Sequence, residues 1–200
     1  MSNNLYEFDH YHEIVECLVG ALEAKDAYTS GHSKRVSDMS TIIAKQIGMK
    51  GFELEKIHMA SHIHDIGKIG IPDSLLNKKG TLSNDEWAIV KKHPLIGFKI
   101  LNTSNKLKEI SEIVLYHHER WDGKGYPYNL KSKEIPIGSR IIAISDTIDA
   151  MTSKRPYREP MDLSDCKEEI ENEKSYQFDP YLVDACRDLW NEFENIILRI

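Results

Sequence analysis

Apolar residues recur every three to four positions along almost the whole chain, the spacing that puts them on one face of a helix. Ile14, Leu18 and Leu22 repeat at four with Val15 and Val19 beside them, predicting a first helix that stops near Lys25. Gly31 breaks the pattern. A second helix is expected from about His32 to Ile47, with Val36, Ile43 and Ile47 inward and Gly48 as C-cap. A third covers about Glu53 to Ile66 with Leu54, Ile57 and Ala60 facing the core, ended by Gly67, Gly70 and Pro72. Ser83 to Glu86 spells a capping box, the cap side chain accepting from the third amide and the glutamate reaching back, and it opens a helix that Pro94 interrupts or kinks. A helix from about Leu107 to His118 follows. Arg120 to Pro136 is the one long irregular stretch, and loops of that length in compact domains usually carry function. The apolar run Ile141–Ile144 reads as a strand or as part of a buried helix, and the residues after it favour the helix. Asp179-Pro180 is an N-cap followed by proline, opening a last helix marked by Leu182, Cys186, Leu189 and Phe193. The expected fold is all-α: one helical bundle of about seven to eight helices, with residues 1–12 as a polar lead and 13–196 as the domain. That lead is too short for a sensor domain.

Composition narrows the class. A hydrophobic fraction of 40% supplies a core, and a formal charge of -6 argues against a general binder of DNA or RNA duplexes. It leaves room for a small anionic ligand in a local cationic pocket. Cys17, Cys166 and Cys186 are odd in number and lack C-x-x-C spacing, which fits a reducing cytoplasm better than a disulfide framework. No apolar run approaches the roughly 18 residues of a membrane helix, and the polar start carries no signal peptide. Trp190 and Phe193 lie on the last helix, either finishing the core or forming a homodimer surface.

The chemistry sits in two pairs, His64-Asp65 and His117-His118. Imidazole and carboxylate together make a ligand set for hydrolytic metal ions, and a carboxylate can offer one oxygen to each of two ions about 3.5–4 Å apart. Successive helical residues point about 100° apart, so both members of a pair reach one centre only near a helix end or around a two-ion cluster. Gly67 supplies such an end. His10, His12 and His58 read as ordinary surface or core imidazoles. His62, two residues before His64, faces largely the other way on a helix and is set aside as an extra. Asp146 and Asp149 lie three apart, and spacing does not choose between them.

His64-Asp65-Ile66-Gly67-Lys68 resembles the HD-x-G-K signature of the HD phosphohydrolase superfamily. Ile69 to Asp73, the run His117 to Pro127, Tyr28 to Ser33 and Thr152 to Arg158 resemble its HD-GYP subfamily, over about Leu18 to Val183. The resemblance implies a cyclic di-GMP phosphodiesterase that yields linear pGpG through a metal-bridging hydroxide, with a second cut to GMP as the alternative end point, and possession of two divalent ions. By position it makes His32, His64, Asp65 and Asp146 ligands of one ion, with Asp65 bridging to a second held also by His93, His117 and His118. The nitrogen and oxygen donors suit iron or manganese, with zinc or nickel as further choices. Lys68 is expected on a phosphate oxygen, its bland alternative being a lysine that complements a helix end. Arg155 and Arg158 are expected on phosphate and guanine. Gly125, Tyr126 and Pro127 either present an exposed aromatic anchor to a GGDEF-domain partner or shape the mouth of the site. Some members carry a glutamate four residues before the first histidine; here that position is Tyr28, so two ions are expected rather than three. Other cyclic dinucleotides, such as cyclic GMP-AMP, and a non-catalytic binding module are the rival readings.

Overall fold

The structure is a computed structural model that describes residues 3–25, 31–153 and 159–198, with side chains from residue 12 onward. Among them are eleven α-helical segments and no named strand. They are α1 (Asn3–Lys25), α2 (His32–Gln46), α3 (Gly51–His62), α4 (Asp73–Leu76), α5 (Asn84–Val90), α6 (His93–Leu101), α7 (Lys108–Leu115), α8 (Ile137–Thr152), α9 (Leu163–Asn172), α10 (Pro180–Cys186) and α11 (Trp190–Ile197). Single 3-10 turns cover Ile66–Gly70, Asn105–Leu107 and Ser132–Glu134.

At the centre, α2 packs on α3, α8, α10 and α11. The isoleucine run 141–144 is helical: Ile141, Ile142, Ile144 and Ile148 are all fully buried in α8. A helix covered on several sides is apolar all round, which is why its sequence also suits a buried strand. The first helix begins at Asn3, so the polar segment expected to lead into it lies within it. Its inward stripe is Val15, Val19 and Leu22, while Ile14 and Leu18 are 57% and 42% exposed. Of the two neighbouring apolar series that Leu22 closes, the buried one is thus Val15–Val19–Leu22. Trp190 and Phe193 are buried against each other edge to face, with ring centroids 5.5 Å apart. They finish the core, which removes them as a homodimer surface.

The breaks between helices shape the site more than the helices do. The third helix stops at His62, and Ile66 N–H and Lys68 N–H donate to Ile63 O (3.0 Å) and Asp65 O (2.9 Å) in the tighter turn that follows. Ser83 makes the expected capping box on α5, and Pro94 opens α6 instead of bending α5. The long 120–136 stretch is held by backbone: Trp121 N–H donates to Gln177 O (3.0 Å) and Asp122 N–H to Tyr176 O (2.8 Å). Gly67 has a steric reason, since a Cβ there would sit 1.8 Å from His93 O and 2.5 Å from Gly97 N. Its hydrogen lets the start of α6 lie directly on the turn that carries Asp65. Gly125 serves the 120–136 stretch similarly, because a Cβ would come within 2.4 Å of backbone at Glu119 and Arg120.

Candidate metal centre

Seven side chains that lie up to 114 positions apart in sequence, from His32 to Asp146, converge on one buried point. His32 opens α2, His64 and Asp65 sit in the turn after α3, His93 opens α6, His117 and His118 follow α7, and Asp146 projects from α8. Every one of these positions except Asp146 lies at or just beyond a helix end, where neighbouring side chains are free of the 100° helical stagger.

Hydrogen bonds fix which way the rings face. Nδ1 of His64, His93 and His117 lies 2.7, 2.9 and 2.6 Å from the carbonyl oxygens of Ser61, Val90 and Val114. A carbonyl only accepts, so each Nδ1 carries the proton and each Nε2 turns a lone pair inward. His32 is turned by another route, its Nδ1 lying 2.7 Å from Asp149 Oδ2, so that its Nε2 also faces inward. The inward nitrogens then face one another, His32 Nε2 at 3.4 Å from His64 Nε2 and His93 Nε2 at 3.3 Å from His117 Nε2. Two buried lone pairs aimed at each other, as at His93 and His117, are unfavourable unless a cation lies between them, so the donor set fits a metal.

Asp65 joins two halves. Its Oδ1 is 3.3 Å from His93 Nε2, and its Oδ2 is 3.6 Å from His32 Nε2 and 3.5 Å from His64 Nε2. One group of possible ligands is His32, His64 and Asp146, another is His93, His117 and His118, and a third, His64, Asp65 and His117, lies between them. Asp146 Oδ1 is 3.5 Å from His32 Nε2 and 4.0 Å from His64 Nε2, whereas Asp149 meets the opposite nitrogen of His32. The choice that spacing left open is thus resolved by which side of the His32 ring each carboxylate reaches. Arg35 had no place in the sequence reading; its guanidinium pairs with Asp149 through Nε, and its Nη2 reaches Ser153 Oγ at 3.1 Å. The only hint was its spacing of three from His32.

Charge differs between the halves. Burial opposes protonation of His32, yet Asp149, Asp65 and Asp146 outweigh it and lift the imidazole to about 9. Burial also works against ionised Asp149, but His32 and Arg35 hold it down to about 2. For Asp65, burial is overcome by Lys68 and the surrounding imidazoles, which keep its carboxyl well below the usual range. His117 and His118 are pushed far down, first by burial and then by neighbouring imidazoles, and His93 is pushed down by burial against the pull of Asp65.

The centre is open on one side. Lys68 and Asp146 keep 20% of their side-chain surface, while His64, His93 and Asp65 are buried. Lys68 Nζ lies 2.7 Å from Asp65 Oδ2 and so points at the centre rather than complementing a helix end. Lys25 of α1 braces the turn from outside, donating to Ile69 O (2.7 Å) and Ile71 O (2.8 Å). Tyr126 is half-buried and stacks on His118 with centroids 4.8 Å apart, Lys91 Nζ standing 5.3 Å from its ring. The exposed anchor expected at Tyr126 is corrected: the exposed ring of this loop is Tyr128, at 58%. Arg155, Arg158 and Tyr28 lie outside the described residues. Glu23 accepts from Gly31 N–H at 3.2 Å.

A family model described as "HD domain" matches residues 16–182. The chain belongs to the HD domain family and, by its motifs, to the HD-GYP branch. It is 43% identical over 193 residues to a cyclic di-GMP phosphodiesterase of Thermotoga maritima, covering 96% of this chain and 52% of that protein. It is 41% identical to 3'3'-cGAMP-specific phosphodiesterase 2 of Vibrio cholerae, covering 90% of this chain and 35% of that one. The chain thus spans about a third to a half of the curated relatives it matches. The fold superposes on a crystal structure of a cyclic GMP-AMP phosphodiesterase of V. cholerae with a TM-score of 0.73 at 18% identity, over 93% of this chain and 50% of that one. No helix among the described residues is long and apolar enough to cross a membrane.

Proposed function

We propose that this chain is a metal-dependent phosphodiesterase acting on cyclic di-GMP, with linear pGpG as first product. The observation that carries the reading is Asp65, whose two carboxylate oxygens each face a different histidine cluster. His32, His64 and Asp146 would hold one divalent ion and His93, His117 and His118 a second, with Asp65 between them. Iron or manganese suits these nitrogen and oxygen donors best, and zinc or nickel could take the same places. Ions bound there would lower the pKa of a coordinated water and neutralise charge on the phosphoryl oxygens.

The chain's own groups account for the rest. Asp149 and Arg35 hold the His32 ring in its inward pose, and the Ser61, Val90 and Val114 carbonyls hold three others. Lys68, on the open side, brings an ammonium to where a non-bridging phosphate oxygen would lie, and it offsets charge that grows there during in-line displacement. Arg155 and Arg158 are proposed on phosphate and guanine by their position in the family motif.

Cyclic GMP-AMP is the second substrate reading, favoured by the 41% identical relative named for it. Protein purified without oxygen and supplied in turn with iron, manganese and zinc should release pGpG from cyclic di-GMP. Faster turnover of cyclic GMP-AMP would transfer the assignment to that nucleotide. No turnover of either, with two ions bound, would sink the enzyme reading.

A further inference from the structure

Three histidines set aside in the sequence gather at a second place. His12 of α1 and His58 and His62 of α3 each present one nitrogen within 4.8 Å of the others. Glu16, one helical turn after His12, brings a carboxylate to 3.5 Å from His62 Nε2 and 3.9 Å from His12 Nε2. We infer that His12, Glu16, His58 and His62 form a separate site for one zinc-class divalent ion, clamping α1 to the last turn of α3. The two i, i+4 pairs, one on each helix, give four donors on facing surfaces.

The His58 ring is held ready to ligate. Ser37 Oγ donates to His58 O (3.0 Å) and Thr41 Oγ1 donates to Ser37 O (2.8 Å). With their protons committed, both hydroxyls accept from His58 Nδ1, at 2.9 and 3.2 Å. Nε2 therefore keeps its lone pair, and it faces His12 Nε2 at 3.0 Å. Fixing one ring nitrogen by a hydrogen bond is the usual support of a metal-bound imidazole. Burial, and then the neighbouring His12, lower the His58 pKa, which favours the neutral ligating form. His62 is buried and its Nδ1 lacks a hydrogen-bond partner.

Three imidazoles and one carboxylate suit tetrahedral zinc and not calcium or magnesium, which take oxygen. Zn–N bonds of about 2.0–2.1 Å place nitrogens about 3.3 Å apart. The 3.0 Å His12–His58 pair needs to widen only slightly, and His12, with 40% of its side chain exposed, can adjust. The ion would brace the helix that runs into His64 and Asp65, on the side where Lys25 already ties α1 to the following turn.

The test uses the full chain without a histidine tag. Bound zinc is measured by elemental analysis after equilibration at graded free zinc, for the wild type, His12→Ala, and Glu13→Ala as an exposed control on the same helix. The wild type and Glu13→Ala should carry one zinc per chain more than His12→Ala, and the affinity of that zinc should fall by about 100-fold or more, since even orienting residues behind a ligand cost about 10–100-fold. Equal zinc content and affinity in all three would overturn the site. Zinc-soaked wild-type crystals give a reading that needs no variant: an anomalous peak about 2.0–2.1 Å from three imidazole nitrogens is expected between α1 and α3. A peak at the buried centre alone would overturn the proposal.

Discussion

One histidine sets the two halves of the buried centre apart, since His64 of the first half leans on the Ser61 carbonyl just as His93 and His117 of the second lean on theirs. At the α2–α8 end, His32 leans on a carboxylate, Asp149, itself held by Arg35. At the α6–α7 end, His93 and His117 lean on backbone carbonyls. A carboxylate stabilises the imidazolium as well as the ring's pose, so His32 rises to about 9. A carbonyl fixes the pose with far less charge, so burial prevails and His93 and His117 are pushed toward the neutral form, as His118 is by burial and its neighbouring imidazoles. The α2–α8 end must therefore lose a proton to take a cation at neutral pH, and the α6–α7 end need not.

The strongest way to break the comparison is to remove what the halves share. Asp65→Ala should empty both ends and lower turnover by on the order of 10³-fold or more, beyond the loss of a single electrostatic donor. Metal analysis beside a turnover assay checks this, and a metal-replete, active variant would refute the shared role of Asp65. Asp149→Asn should act on one end, weakening the ion held by His32 by about 10–100-fold while sparing the other. Equal losses at both ends would show that the halves are not separable.

Proton release sharpens the contrast without mutation. Below its raised value of about 9, His32 holds a proton that an incoming ion must displace. Apparent affinity at that end should rise about tenfold per pH unit and level off above about 9, while the α6–α7 end stays flat near neutrality. Isotherms between roughly pH 7 and 10 that show no slope at either end would contradict the assignment of the raised value to His32. The same groups act on folding of the metal-free chain. A raised histidine gives stability present below the unfolded value of 6.5 and lost as pH climbs through about 9, and the three depressed histidines withdraw stability as pH falls below 6.5. Melting temperature against pH should fall on both flanks.

The smallest effect concerns support alone. Ser83→Ala removes the cap of α5, just ahead of His93, and should cost about 1 kcal/mol of stability with no change in metal content. Denaturant unfolding beside metal analysis separates the two, and lost metal would show that the cap reaches into the site.

Most of the helices could be read from periodicity, because burying a stripe needs a repeat that survives in the sequence. The breaks were harder. The third helix was expected to run through His64 and Asp65 and instead ends at His62, and the expected last helix divides into α10 and α11 around Leu189. Helix α9 buries only Cys166 and Ile170, a two-residue stripe too thin to stand out among its charges. The turn after His62 is set by the docking of α6 on Gly67, a contact with no local trace beyond a glycine.

By itself the sequence determined the helical class, the family and the residue types gathered at the centre, since motif order and donor chemistry are written along the chain. Only the tertiary structure decided that Asp146 and Asp149 take opposite faces of His32, that Arg35 stands behind Asp149, that Tyr126 covers His118, and that His12 meets His58 and His62. Each of these depends on how two helices distant in sequence are rotated against each other, and packing across the whole core sets that rotation.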